Sequence, residues 1–338
     1  MQNILEIKNL NIDFQLDEEL ARAVHGVSFS LEKGKVLGIV GESGCGKSVT
    51  AMSIMRLLPS NAVVEADGIF YNGENLLELS QKEMQKIRGS KISLIPQDPL
   101  TSLNPLYTVG DQIMETIRFH RKVTAKESRK IAVESLRSVK IPEPEKRLND
   151  YPHQFSGGMR QRAIIAMALC CNPELIIADE PTTALDVTVQ AQILDLIKQI
   201  QAEREMSLIF ITHDLGVVAE FCDYVAVMYA GRIVEYATVR DIFNAPDLHE
   251  GCELNKEDCG HNKSGDYRHP YTKGLLESLP SQDKEVLNTI PGQPPSITEN
   301  VSGCVFHPRC PYKMPVCEKE MPALTMKDNG HIVFCHLY

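Results

Sequence analysis

Eight consecutive residues, Gly41-Glu42-Ser43-Gly44-Cys45-Gly46-Lys47-Ser48, fit the phosphate-binding pattern G-x-x-x-x-G-K-[ST] without a mismatch. In that spacing the glycines let backbone N–H groups turn inward around phosphate oxygens, a following helix start adds partial positive charge, and Lys47 supplies a full one. Ser48 stands where a hydroxyl ligates Mg²⁺. The bland alternative is a glycine-rich turn, and the flanks argue against it. Val36-Leu37-Gly38-Ile39-Val40 is a short apolar run of the kind a buried parallel strand shows, and Val49 to Leu58 reads as the helix that follows. The stretch points to a bound nucleoside triphosphate.

A second chemical group closes another apolar run. Leu175-Ile176-Ile177-Ala178 predicts a buried strand, and Asp179 and Glu180 present two adjacent carboxylates at its end. One can reach Mg²⁺ through water while the other holds and polarises an attacking water. Ser207 to Thr212 is a further buried strand ending at His213. That histidine is either a satisfied core residue or a contact to a γ-phosphate. Gln97 ends the strand Lys91 to Pro96 and faces the crevice where ligands bind in such sheets. Ser156-Gly157-Gly158 opens a long helix, which makes either a plain N-cap or a second anion site. Phe14 can stack on a purine base or simply pack in its strand.

The elements that must position these groups follow from periodicity. Ile4 to Leu31 alternates apolar and polar residues, as in an antiparallel edge. Asp67 to Glu74 reads as strand and turn. From Thr108 to Leu148 the period is helical, with Ile113, Ile117, Ile131, Val133 and Leu136 facing inward, and Val187 to Arg204 is another helix. The 338 residues suggest two domains, or one with an appendage. A net charge of −10 with no basic run disfavours nucleic acid as a partner. No apolar stretch approaches the roughly 18 residues of a membrane span, and the N-terminus opens no signal peptide, so the expectation is a cytosolic chain that sits on a membrane through partners.

Together these residues resemble the ATP-binding cassette (ABC) ATPases: the phosphate loop, Gln97, Ser156-Gly157-Gly158, Asp179-Glu180, Ala184-Leu185-Asp186 and His213 occur in that family's order. The finer resemblance is to the D-type ATPase subunits of bacterial oligopeptide and dipeptide importers, a group that includes nickel importers. It rests on Phe155 and Met159 around the signature, on His269-Pro270-Tyr271-Thr272-Lys273-Gly274-Leu275-Leu276, and on the cysteine-bearing tail. The resemblance implies an α/β ABC-type P-loop ATPase domain over residues 1–245, with an antiparallel β edge and a helical subdomain near 108–170. A small irregular C-terminal metal-binding domain follows over 246–338. It implies that Gly41, Ser43, Gly44, Cys45, Gly46, Lys47, Ser48 and Val49 hold ATP with Phe14, and that Ser48, Gln97 and Asp179 hold Mg²⁺. Glu180, His213 and Gln97 would act in hydrolysis. Ser156, Gly157 and Gly158 would complete the nucleotide site of a second ATPase subunit, expected to be a paralogue. The further partners implied are two membrane permeases, whose coupling helix would meet the surface near Asp98 to Gly110, and an extracytoplasmic binding protein. A soluble ABC ATPase of DNA repair or translation and a silent regulatory subunit are the competing readings. The first should show tandem cassettes or a basic surface, and intact Glu180 and His213 argue against the second.

Four of the ten cysteines fall in the tail, as Cys304-x5-Cys310-x6-Cys317-x17-Cys335, within a proline-rich stretch of little periodicity. Four thiols in a poorly packed region suggest a metal centre that supplies folding energy. Zinc usually takes ligand pairs two to four residues apart, and none occurs here. With the family resemblance this favours a [4Fe–4S] cluster over Zn²⁺ and over plain reduced thiols. Asp247 to Arg268, which carries His249, Cys252, Cys259 and His261, departs from the importer pattern and reads as an exposed polar insertion.

Overall fold

The computed structural model describes residues 2–16, 19–183, 185–243, 267–279, 289–327 and 330–338. The chain opens with two long antiparallel strands, β1 (Asn3–Leu16) and β2 (Glu19–Glu32). Apolar residues alternate along both and bury Leu5, Ile7, Leu10, Ile12, Val24, Val27 and Leu31 on one face. β3 (Val36–Val40) leads into α1 (Lys47–Ile54). β4 (Ala62–Glu65) and β5 (Gly68–Tyr71) then pair with β1, and β6 (Glu74–Asn75) pairs with β5, completing a five-stranded sheet.

α1 ends at Ile54, short of the expected Leu58. Arg56 turns left-handed (φ +50°), and Arg88 donates to the carbonyls of Met55 and Arg56 at 2.7 and 2.9 Å. A distant arginine thus takes carbonyls that a longer helix would have used. α2 (Gln81–Ile87), opened by a Ser80–Glu83 capping box, and β7 (Ile92–Ile95) follow.

The middle of the chain is helical: α3 (Pro99–Ser102), α4 (Val109–His120), α5 (Ala125–Ser138), α6 (Pro144–Arg147) and, after a 3₁₀ turn, α7 (Gly157–Leu169). Ile113, Ile117 and Leu136 are fully buried as expected. Ile131 and Val133 are only half-buried, because Ala132 takes the inward position between them. β8 (Leu175–Asp179), α8 (Val187–Arg204), β9 (Ser207–Thr212), α9 (Leu215–Phe221), β10 (Tyr224–Tyr229), β11 (Arg232–Thr238) and α10 (Val239–Phe243) complete the first 243 residues.

The second sheet has the order β12-β13-β11-β10-β3-β9-β8-β7, with β10, β3, β9, β8 and β7 mutually parallel. Every residue of β3, β8 and β9 is buried, which explains their uninterrupted apolar runs. One core lies between this sheet and the helices, and another between the two sheets.

The tail departs from its expected loose texture. After α11 (Pro270–Glu277), the strands β12 (Leu324–Met326) and β13 (Ile332–Phe334) extend the large sheet, because β13 pairs antiparallel with β11. Phe306, Tyr271, Cys304 and Cys317 pack with Tyr229, Val225 and Val227 in a third core. This segment therefore has apolar burial of its own against the sheet and is not a poorly packed appendage. Arg268, expected in an exposed loop, is buried and donates to the Ile242 carbonyl at 3.4 Å. Residues 247–266 of the insertion, with His249, Cys252, Cys259 and His261, lie outside the described residues, as does Ala184.

Candidate functional site

The site forms where four parallel strands end side by side. Their order β3-β9-β8-β7 sets the phosphate loop beside the loop after β9, then the end of β8, then the end of β7. This is the carboxyl edge at which open α/β sheets bind ligands. Lys47 Nζ donates to the carbonyls of Gly41 and Glu42 at 2.9 and 3.0 Å, so the buried ammonium is parked on its own loop. Gly41 has φ +152°, and a Cβ on it would stand 2.1 Å from the Met228 carbonyl oxygen; only glycine lets the loop pass β10 this closely. Gly46, at φ +100°, turns the chain into α1, while Gly44 faces open space. Cys45 and Ser43 belong to the same turn, with Cys45 buried, and Val49 lies in the first turn of α1.

Ser48 Oγ donates to Asp179 Oδ1 at 2.9 Å. Burial raises the Asp179 carboxyl above its usual range, the Ser48 hydroxyl opposes this, and the neighbouring Glu180 carboxylate adds to it. Glu180, just past β8 in a left-handed conformation (φ +43°), is a meeting point. Its Oε2 accepts from Gln97 Nε2 at 3.2 Å and from Thr183 Oγ1 at 2.9 Å, and lies 3.5 Å from His213 Nδ1. His213 is not a core histidine, for 61% of its side chain is exposed. Ser48, Asp179, Glu180, Gln97 and His213, drawn from the start of α1 and the ends of β7, β8 and β9, thus form one cluster of oxygen and nitrogen groups beside a phosphate-type loop. Thr183 is the member that sequence reading missed; it sits three residues beyond Glu180 without a motif of its own.

The signature stands apart from this cluster. Ser156 caps α7 by accepting from the Met159 N–H at 3.3 Å. Gly158 is needed where it is, since a Cβ there would stand 2.8 Å from Val189 Cγ1 on α8. Gly157 has ordinary clearance from Leu185. Asp186 caps α8 through the Val189 N–H. Phe14 pairs with Ala21 and Ala62, and its half-buried ring packs against the core between the sheets. Strand packing is therefore present.

In the tail, Cys304, Cys317 and Cys335 are buried and Cys310 half-buried. Burial pushes the Cys310 thiol up to about 11 and that of Cys335 to about 12; the other tail thiols add to both. The nearby backbone N–H groups of Phe306, Tyr312 and Leu337 partly oppose the upward push on the thiols of Cys304, Cys310 and Cys335. Soft donors among N–H groups suit a thiolate-bound metal. Against the expected metal-binding domain, however, no three His, Cys, Asp or Glu side chains among the described residues are gathered to hold a metal ion. The residue types fit such a centre and their spacing does not form it.

Contacts from the C-terminal segment to the phosphate loop were also not foreseen. Glu42 meets both Tyr271 and Arg309, residues more than two hundred positions away.

Comparison with known proteins agrees with the geometry. The chain matches a family model described as ABC transporter over residues 24–183, and one described as the C-terminal region of the oligopeptide/dipeptide transporter over 265–317. It is 49% identical to the dipeptide transport ATP-binding protein DppD of Bacillus subtilis, across 100% of this chain and 95% of that protein. It is 46% identical to the oligopeptide transport ATP-binding protein OppD of Salmonella typhimurium, across 98% and 93%. Among solved structures it is similar to the dimeric structure of MJ0796, a bacterial ABC transporter cassette, with a TM-score of 0.62 and 29% identity over 70% of this chain and 99% of that one. A post-hydrolysis state of the same cassette bound to ADP and Pi gives a TM-score of 0.60 at 29% identity, with the same coverage.

Proposed function

The chain belongs to the ATP-binding proteins of peptide ABC transporters, and from that membership we propose that it is the ATP-hydrolysing subunit that powers peptide import through a membrane transporter. The observation that carries the reading is the convergence of Ser48, Asp179, Glu180, Gln97 and His213 on the carboxyl edge of the parallel sheet.

The roles follow from that geometry. Lys47 exchanges the Gly41 and Glu42 carbonyls for nucleotide phosphate oxygens, while the N–H groups from Ser43 to Val49 cradle the phosphates. Ser48, Asp179 and Gln97 offer the oxygen ligands that Mg²⁺ requires; when bound, Mg²⁺ neutralises charge developing on the phosphoryl oxygens. Glu180 accepts a proton from the attacking water, and Gln97 and Thr183 hold its carboxylate in place. His213, exposed and 3.5 Å from Glu180, reaches the γ-phosphate. Phe14, half-buried, offers its ring to the base.

Ser156, Gly157 and Gly158 face the nucleotide of a second ATPase subunit. The membrane permeases dock near Asp98 to Gly110, where Leu106 (78% exposed) and Tyr107 (56%) are unusual surface residues. No helix among the described residues is long and apolar enough to cross a membrane, so attachment runs through such partners. Residues 1–245 form the ATPase domain and 246–338 the extension. There Cys304, Cys310, Cys317 and Cys335 are of the right type for a [4Fe–4S] cluster but are not gathered around one, so they would have to draw together to hold it; their residue type and their burial support that reading. Anaerobic purification tests that last point: iron and sulfide in the protein support it, one zinc or no metal withdraws it.

The import reading is tested in cells lacking this chain, by uptake of labelled dipeptide, oligopeptide and nickel. Wild-type chain should restore peptide uptake and Lys47→Ala should not. Restoration of nickel uptake alone would replace the cargo, and full restoration by Lys47→Ala would sink the ATPase role.

A further inference from the structure

Glu42, the second residue of the phosphate loop, is held from outside the ATPase sheet. Its backbone N–H donates to the Tyr271 hydroxyl at 2.9 Å. Its carboxylate takes a two-pronged bond from Arg309, at 2.6 Å from Nη1 and 3.0 Å from Nη2. Both partners are rigid. Tyr271 is fully buried on α11 and packs against Tyr229 and Phe306 with ring centroids 4.7 and 5.4 Å away. The Arg309 side chain, 5% exposed, also donates to the carbonyls of Pro291 and Ile290 and to the Tyr229 hydroxyl, so all three of its nitrogens are engaged. A guanidinium with its donors spent in a fixed fork resists rotation far better than a surface ion pair. The carbonyl of this same Glu42 is one of the two that hold Lys47 Nζ.

We infer that Tyr271 and Arg309 are positioning residues for ATP binding: the C-terminal extension clamps Glu42 and thereby sets the phosphate loop, and with it Lys47, in the conformation that receives the nucleotide. Neither side chain touches a reacting atom; each acts through Glu42. The extension is on this view part of the nucleotide site as well as an appendage. A loop anchored only at its strand and helix ends samples more conformations, and the lost preorganisation appears as weaker binding. The chemical step, carried by Glu180 at the end of another strand, is left alone. This rests on the ATPase reading given above.

The test uses the full-length chain, three single variants and one double variant: Arg309→Gln, Tyr271→Phe, which keeps the ring packing and removes only the hydroxyl, Glu42→Gln, and Glu42→Gln with Arg309→Gln. ATP affinity is measured by direct binding, and kcat and KM by phosphate release with Mg²⁺. Arg309→Gln should weaken ATP binding and raise KM about tenfold, and Tyr271→Phe should do so severalfold, both with kcat at saturating ATP within about threefold of wild type. The Glu42→Gln/Arg309→Gln pair should be no worse than the weaker single variant, because both remove one interaction. Unchanged ATP affinity in Arg309→Gln and Tyr271→Phe, with only the melting temperature lowered, would reduce the clamp to a structural strut and overturn the inference. Additive losses in the double variant would do the same. Failure of the ATPase reading looks different, since the wild-type chain itself would then neither bind nor hydrolyse ATP.

Discussion

Replacement of Glu180 by glutamine separates holding the site from performing the chemistry. Among the described residues, the hydrogen-bond and charge contacts of the carboxylate converge on one oxygen, Oε2, which meets Gln97, Thr183 and His213. A glutamine amide can set its carbonyl oxygen at that position and keep both hydrogen bonds, so the folding cost should stay below about 1 kcal/mol. What disappears is the proposed proton acceptor. A positioned general base is worth about 10²–10⁴ in rate, which at 1.36 kcal/mol per tenfold is roughly 3–5 kcal/mol of barrier. The assay is single-turnover and steady-state phosphate release at saturating ATP and Mg²⁺, beside direct ATP binding. ATP affinity should change less than about threefold while turnover falls at least a hundredfold. Turnover within threefold of wild type would remove Glu180 from proton transfer. An equal loss in affinity and turnover would make it a group that only shapes the site.

Gly41→Ala should abolish ATP binding and lower stability by more than about 2 kcal/mol, because its Cβ meets a backbone carbonyl that cannot rotate away; binding and denaturant titration of one preparation check both effects. Asp186→Ala removes the cap of α8 and should cost about 1 kcal/mol in denaturant unfolding while leaving ATP affinity intact. Burial, with Lys273 adding, holds the His269 imidazole down at about 3. An unfolded histidine titrates near 6.5, so this group's contribution is whole above that pH and is lost as pH falls through the window towards 3, at up to roughly 1.4 kcal/mol per pH unit. His269→Asn, whose side-chain oxygen can replace the ring Nδ1 as acceptor for the Tyr271 N–H, should flatten the stability–pH slope between pH 6 and 5; equal slopes would refute the assignment.

The chemistry of this protein was legible in its sequence because each reactive group sits at the end of a strand whose apolar run is local and unbroken. β3, β8 and β9 are buried along their whole length, and helix α8 begins and ends at the residues its pattern predicts. Local pattern failed where a distant partner intervened. Two Arg88 donors end α1 early, and Ala132 displaces its neighbours from the inward face of α5. The tail looked unpacked because its core is shared with β10 and β11 and its strands are only three residues long. The residue types and their order were thus determined by the sequence itself: a phosphate loop, a carboxylate pair, a glutamine and a histidine, each at a strand end. Tertiary structure alone decided that the strands lie in the order β3-β9-β8-β7, which brings Gln97, Glu180 and His213 together, and that Tyr271 and Arg309 close on Glu42. Strand neighbours and long-range ion pairs depend on how separate segments share one buried surface, and no window of sequence contains both sides of that surface.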